Sequence, residues 1–178
     1  ESTDTRWFAP KVGAGAMAFD GTGDYWESPA SASWDFGAGA WTIEGWVKAK
    51  AFSGHSGIFT SCIDDEWNDG GSGAISIYID ASGNLNFDTV NAAGSDVQAA
   101  YTGFTFSANT WYHLAMTCAG GTGDVKMWVD GVLKNTFTTG GSVFGYDDKR
   151  IGIGLMDRYS GTARNFLDGY IDLLRISK

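Results

Sequence analysis

The chain has 178 residues, a formal net charge of -9 and a pI of about 4.4. That balance excludes nucleic acid as a ligand, because phosphate backbones are gripped by basic stripes and none occurs here. No apolar run is long enough for a membrane-spanning helix, and the length suits one domain that buries its own core.

Helix signals are nearly absent. With 26 Gly, only 2 Pro, and Thr, Val, Ile and aromatics in short runs, the composition predicts an all-β fold, an antiparallel β-sandwich. An acidic surface suits a secreted protein, a cation-rich medium or a cation site. The chain opens on Glu1 rather than Met, which leads us to expect a processed or excised chain.

Residues 1–14, beginning ESTDTRWFAPKV, lack periodicity and read as an N-terminal arm; residues 15–178 read as a single domain. The predicted strands follow in order: GAMAFD, DYWES, WTIEGWVKA, GIFTSC, AISIYID, NLNFDTV, AAYTGFTF, TWYHLAMTC, DVKMWVD, VLKNTFT, RIGIGL and DGYIDLLRIS. Asp130-Gly131 marks a tight hairpin, and Asp80 to Asn84 closes another. Ile75, Ile77 and Ile79 share a phase, as do Leu114, Met116 and Cys118, and Val125, Met127 and Val129. The opposite phases carry Ser76 and Tyr78, His113 and Thr117, Lys126 and Trp128. One face is therefore expected to be dry core and the other polar with embedded aromatics. Cys62 and Cys118 sit at strand ends, and spacing alone leaves open whether they bridge or stay thiols.

The last strand raises a question. In DGYIDLLRIS, Asp172 falls in the period-two phase of Tyr170, Leu174 and Ile176, so its carboxylate is expected to project with an apolar set. A buried carboxylate is costly unless paired, hydrogen-bonded or bound to a metal.

Four segments, AMAFDGTGDYWES, WTIEGWVKA, WYHLAMTCAGGTGDVKMWVDGVLKNT and FLDGYIDLLRISK, in this order and spacing resemble the laminin-G-like jelly rolls of the concanavalin A-like lectin and glucanase superfamily. The resemblance covers residues 15 to 178 and implies a jelly-roll sandwich. It also implies a structural calcium where the first strand meets the last, with Asp20, Asp172 and the Gly-rich loop through Asp24 as ligands. The alternative keeps Asp172 as an acceptor for backbone N–H groups or for Arg175.

Catalysis has little to draw on. The Glu-x-Asp-x-x-Glu strand of the glucanase branch is missing, and Glu44, with Trp46 and Lys48 on its phase, reads as an ion-pair residue on a polar face. Only His55 and His113 are present for zinc or triad chemistry, and the Gly-rich stretches are turns rather than phosphate cradles. Binding is expected instead, on loops carried by a rigid sandwich. In DDEWNDGGSG, Trp67 stands among Asp64, Asp65, Glu66 and Asp69, either an aromatic to stack on a sugar ring with carboxylates to accept its hydroxyls or share calcium, or a solvated loop whose Trp covers a sheet edge. Tyr146 and Asp147 in FGYDDKR, and Arg158 and Tyr159 in MDRYSGTARN, are expected to join that rim. The leading expectation is an extracellular or cell-surface, non-catalytic module binding glycan or a surface partner. The competing one is a structural subunit of a virion, fibre or filament, a homo-oligomer in which the arm around Trp7 and Phe8 reaches a neighbour.

Overall fold

A computed structural model describes residues 7–8, 10–61, 74–90, 96–101, 103–121, 124–139, 144, 150–159 and 162–178. Among them the chain forms β1 (Trp7–Phe8), β2 (Ala16–Asp20), β3 (Trp26–Glu27), β4 (Trp41–Ala49), β5 (Ser56–Thr60), β6 (Ile75–Ile79), β7 (Leu85–Val90) and β8 (Asp96–Tyr101). There follow β9 (Tyr112–Cys118), β10 (Val125–Val129), β11 (Val132–Phe137), β12 (Gly152–Ile153), β13 (Leu155–Tyr159), β14 (Thr162–Phe166) and β15 (Asp168–Ser177). The single helical element among the described residues is one 3-10 turn, Ala32–Trp34.

The strands make two antiparallel sheets. One runs β1-β2-β15-β4-β9-β10-β11 and the other β3-β12-β5-β6-β7-β8, with β13–β14 as a separate hairpin. The expected sandwich is the observed architecture. β4 shows why: its residues alternate strictly between buried and half-buried, so Trp41, Ile43 and Val47 enter the core while Thr42, Glu44, Trp46 and Lys48 face outward. The three predicted apolar phases all lie in the core cluster. Trp41 joins the sheets, stacking on Phe87 at 6.3 Å and meeting Phe144 edge-on at 5.1 Å.

Three expectations change. Trp7 and Phe8 are not a free arm, because β1 pairs with β2 on this domain's own sheet. AAYTGFTF is not one strand: β8 ends at Tyr101, and Phe104 and Phe106 leave the ladder to pack edge-on against Tyr112 at 5.3 and 4.8 Å. The segment 156–165, expected as a loop, lies largely in the β13–β14 hairpin. This hairpin folds over the outer face of β5, where Ser76 Oγ donates to Met156 O at 2.7 Å. Gly57 permits the crossing, since a Cβ there would fall inside the Leu155–Met156 peptide. Every residue of β5, β6 and β7 is buried, so this part of the six-stranded sheet is covered on both faces.

The Asp80–Asn84 turn behaves as read. Asp80 Oδ1 accepts the backbone N–H groups of Ser82 and Asn84 at 2.8 and 2.9 Å, and Gly83 takes φ +78°. Burial raises the Asp80 pKa, but hydrogen bonds from Asn84, Asn86 and Ser82 outweigh it and leave the carboxyl below its ordinary value.

Three outcomes follow. Gly57→Ala is expected to destabilise the fold by about 3 kcal/mol in urea unfolding, because the hairpin backbone must lift. Gly39→Ala, whose new Cβ meets only Phe36 O at 3.7 Å, is expected to cost less than about 1 kcal/mol. Asp80→Ala is expected to cost about 1 to 2 kcal/mol at neutral pH. A depressed folded pKa contributes stability above the unfolded value of about 3.9, and that contribution disappears as pH falls through the folded value. The gap between parent and variant should thus close below about pH 4, and a pH-independent gap would refute the carboxylate's role.

Candidate functional site

Asp172 is 4% exposed, and its environment is set by a β-bulge. Between the pairs Asp172↔Trp46 and Arg175↔Glu44, β15 spends Leu173 and Leu174 where β4 spends only Gly45. Leu173 adopts φ +49° and stands 58% exposed. Gly45 accommodates the bulge, since a Cβ there would lie 3.1 Å from Leu174 Cα. The extra residue shifts the phase. Ile171 and Ile176 remain in or against the core, while Asp172 and Arg175 both pair with outward residues of β4.

Asp172 is buried from outside instead. The chain between β1 and β2 lies over it, and Oδ2 accepts the N–H groups of Lys11 and Val12, each at 2.9 Å. Asp20 is exposed and closes a local turn, its Oδ1 accepting Thr22 N–H at 2.7 Å. Asp24 is half-buried in the loop between β2 and β3. The ladder pairs Asp20 with Asp168, four positions from Asp172, so the two carboxylates stand about 13 Å apart along the sheet. The geometry therefore separates the expected ligands Asp20 and Asp172. Amide N–H groups also present positive dipole ends to Asp172 Oδ2, the wrong polarity for a shared cation. Among the described residues no three of His, Cys, Asp and Glu gather to hold a metal. The residues present do not fit a calcium bound jointly by Asp20, Asp24 and Asp172.

Glu44 is an ion-pair residue, as its phase suggested. It meets Arg175 through one oxygen and His113 Nε2 at 3.5 Å through the other. His113 in turn meets Trp46 edge-on at 5.3 Å.

A second polar set lies on the outer face of the six-stranded sheet. The register aligns Thr60, Ser76, Asp88 and Gln98 in one row, and Gly57, Tyr78, Asn86 and Ala100 in the next. Asp88 is 1% exposed; its Oδ2 accepts Tyr78 O–H at 2.9 Å and the Gln98 amide at 3.4 Å. The His55 ring sits 4.7 Å from that of Tyr78, and both His55 and Gln98 are exposed. Sequence reading missed Asp88. The signal was available, since NLNFDTV places a carboxylate inside an apolar strand much as DGYIDLLRIS does.

Of the expected rim, Asp64, Asp65, Trp67, Asp69, Tyr146 and Asp147 lie outside the described residues, as does Cys62. Cys118 is buried in the core. Arg158 and Tyr159 are placed by backbone alone, at the end of β13 nearest the hairpin turn. That hairpin crosses β5 and contacts β6, the strands joined by the segment carrying Trp67. No helix among the described residues is long and apolar enough to cross a membrane.

A family model described as the concanavalin A-like lectin/glucanases superfamily, of laminin-G type, matches residues 20–178. The chain belongs to that superfamily. Comparison with curated proteins gives no match. Among solved structures, it is similar to domain 4 of AbnA, a GH43 extracellular arabinanase from Geobacillus stearothermophilus, in complex with arabinotriose. That pair has a TM-score of 0.70 at 19% identity, covering 99% of this chain and 76% of the other. The CBM40 of Ruminococcus gnavus IT-sialidase bound to alpha2,3 sialyllactose gives 0.63 at 11%, covering 76% and 74%. Domains LG4-5 of the mouse laminin alpha1 chain give 0.59 at 16%, covering 91% and 40%. At such identities the likeness establishes the shared fold.

Asp172→Ala is expected to destabilise by about 2 to 3 kcal/mol, since two amides lose a charged acceptor. Hydrogen exchange at Lys11 and Val12 should accelerate, while Asp20→Ala leaves both amides protected. A calcium-dependent rise in melting temperature that Asp172→Ala abolishes would overturn this assignment in favour of the metal.

Proposed function

We propose that this chain is a non-catalytic recognition module that binds glycans in an extracellular setting, using the outer face of its six-stranded sheet. One observation carries the reading: on that face a buried carboxylate, Asp88, fixes a buried phenol, Tyr78, and an exposed amide, Gln98. The inner face of β6 and β7 already supplies the core through Ile75, Ile77, Leu85 and Phe87, and burying a carboxylate costs free energy even when it is hydrogen-bonded. Polar groups converging beside aromatic rings are what a sugar site needs: rings to stack on, and fixed donors and acceptors to orient hydroxyls.

His55 and Gln98 form the open margin of this set, and the β13–β14 hairpin forms a wall over Ser76. Trp67, with Asp64, Asp65 and Asp69, belongs to the segment joining β5 to β6 and supplies a further stacking ring in this proposal. Arg158, Tyr159, Tyr146 and Asp147 are the remaining candidates for contact with the glycan in this proposal. The similar arabinanase and sialidase domains, solved with arabinotriose and sialyllactose, lend support as sandwiches that hold glycans. The non-catalytic part of the proposal is supported by Glu44, which is held in ion pairs between Arg175 and His113. The assembly reading loses its main support, because Trp7 and Phe8 are paired with β2.

Calorimetric titration with arabino-oligosaccharides and sialyllactose tests the proposal. His55→Ala and Gln98→Ala are each expected to weaken binding about tenfold, or about 1.4 kcal/mol, without moving the melting temperature. Trp67→Ala should remove measurable binding. Affinity unchanged in all three variants would place the site elsewhere, and turnover of any polysaccharide that Glu44→Gln abolishes would make the chain an enzyme.

A further inference from the structure

We propose that the free edge of β15 takes up an extended peptide segment of a partner protein, apolar at alternate positions and ending in a lysine or arginine. β4 pairs with β15 as far as Ser177, whereas β2 pairs with it only from Asp168 to Ile171. From Leu173 to Ser177, the described residues give β15 no strand on that second side and no other backbone hydrogen bond. The chain before β2 does not run back along this edge. It turns at Gly13, at φ +79°, and carries Lys11 and Val12 over Asp172. An edge of this kind presents a row of N–H and C=O groups that a further strand can pair. Its length of about 17 Å matches about five residues of an extended chain.

Beside this edge lies an apolar groove of about 510 Å³ between the two sheets. Leu174 and Ile176 of β15 line one side, and Ile151, Ile153 and Trp26, from β12 and β3 and the residue before β12, line the other, with Trp34 alongside. A strand added along Leu173–Ser177 would extend the seven-stranded sheet over β12 and β3, and every second side chain would enter the groove. Exposed apolar surface is concentrated here. Of the five exposed large apolar side chains among the described residues, Trp26 and Leu173 line the groove, and Val12 adjoins it through its bond to Asp172. The lining disfavours a sugar. Asp172 is its only side chain with an oxygen, so most hydroxyls of a bound sugar would go unpaired.

Charge complementarity places the basic residue. Asp172 is the only charged residue lining the groove and is 4% exposed. Its Oδ2 accepts the two amides, and Oδ1 has no hydrogen bond. A carboxylate oxygen so placed is best matched by a charged donor. A segment antiparallel to β15, like β2 and β4, starts beside Ser177 and ends beside Asp172, so its last residue is the one that meets Oδ1. The net charge of -9 draws the same basic segment and repels an acidic one. This edge is separate from the proposed glycan face, which belongs to the other sheet.

The probe is a fluorescein-labelled peptide amide, Ile-Thr-Leu-Thr-Val-Lys, titrated with the whole chain by fluorescence polarisation. The parent is expected to bind it and to slow hydrogen exchange at those amides of Leu173–Ser177 that face away from β4. Trp26→Ser should weaken binding about tenfold without moving the melting curve. Two altered peptides keep the test independent of any variant's folding. One is N-methylated at the residues whose amides face β15, and the other ends in Glu instead of Lys; each is expected to bind about tenfold more weakly. Arabinotriose should not displace the peptide, whether or not the six-stranded face binds sugars. No binding, or unchanged exchange along Leu173–Ser177, would overturn the inference. So would equal binding of the N-methylated peptide, which would mean apolar adsorption only, equal binding of the Glu peptide, or displacement by arabinotriose. A parent that sediments as a dimer, and becomes monomeric in Trp26→Ser, would assign the groove to a second copy instead.

Discussion

Two residues of β15 oppose one of β4, and much of the seven-stranded sheet's outer face follows from that mismatch. A strand without a bulge alternates faithfully, so residues 172 and 175 would point to opposite sides. The extra residue lets Asp172 and Arg175 share the outer face, and Gly45 makes the geometry possible because a side chain there would crowd Leu174. The local cost is visible in Leu173, a branched residue at φ +49° with its side chain largely in water. In return, Asp172 receives the amides that fix the chain before β2, and Arg175 reaches Glu44. One bulge thereby anchors the N-terminal segment and brings Arg175 to Glu44.

The six-stranded sheet solves a different problem by removing side chains. Gly57 lets the backbone of β13 lie directly on β5, and Gly154, at φ +84° against the Phe19 ring, turns the chain from β12 into that crossing. The hairpin covers the β5 side of the outer face, while Tyr78, Asp88 and Gln98 continue beyond it with their polar atoms mutually engaged. Hydrogen-bonded polar groups in a low-dielectric setting are held in fixed orientations, the property a recognition site requires. The two sheets thus present different chemistries: a buried, hydrogen-bonded carboxylate beside a hairpin on one, and ion-paired charges among aromatic rings on the other.

Much of the fold was legible in the sequence. Strict alternation in WTIEGWVKA, the Ile75, Ile77 and Ile79 phase, and the turn chemistry at Asp80–Asn84 and Asp130-Gly131 specify strands and hairpins, because each depends on neighbours within a few residues. The outward Trp46 and Lys48, and the ion-pair role of Glu44, came from the same local periodicity. What periodicity could not reach was any feature in which strands far apart in sequence meet. Counting by twos set Asp172 with Leu174 and Ile176, yet the bulge breaks the count, and nothing local to DGYIDLLRIS reveals that Gly45, more than a hundred residues earlier, makes room for it. The acceptor role of Asp172 was one of two open readings, and only the position of Lys11 and Val12 selects it. The arm's pairing with β2, the β13–β14 hairpin over Gly57, and the union of Tyr78, Asp88 and Gln98 on adjacent strands were likewise decided by tertiary structure. A side chain's phase is a property of its own strand, whereas its partners are fixed by register and by which backbone is allowed to approach.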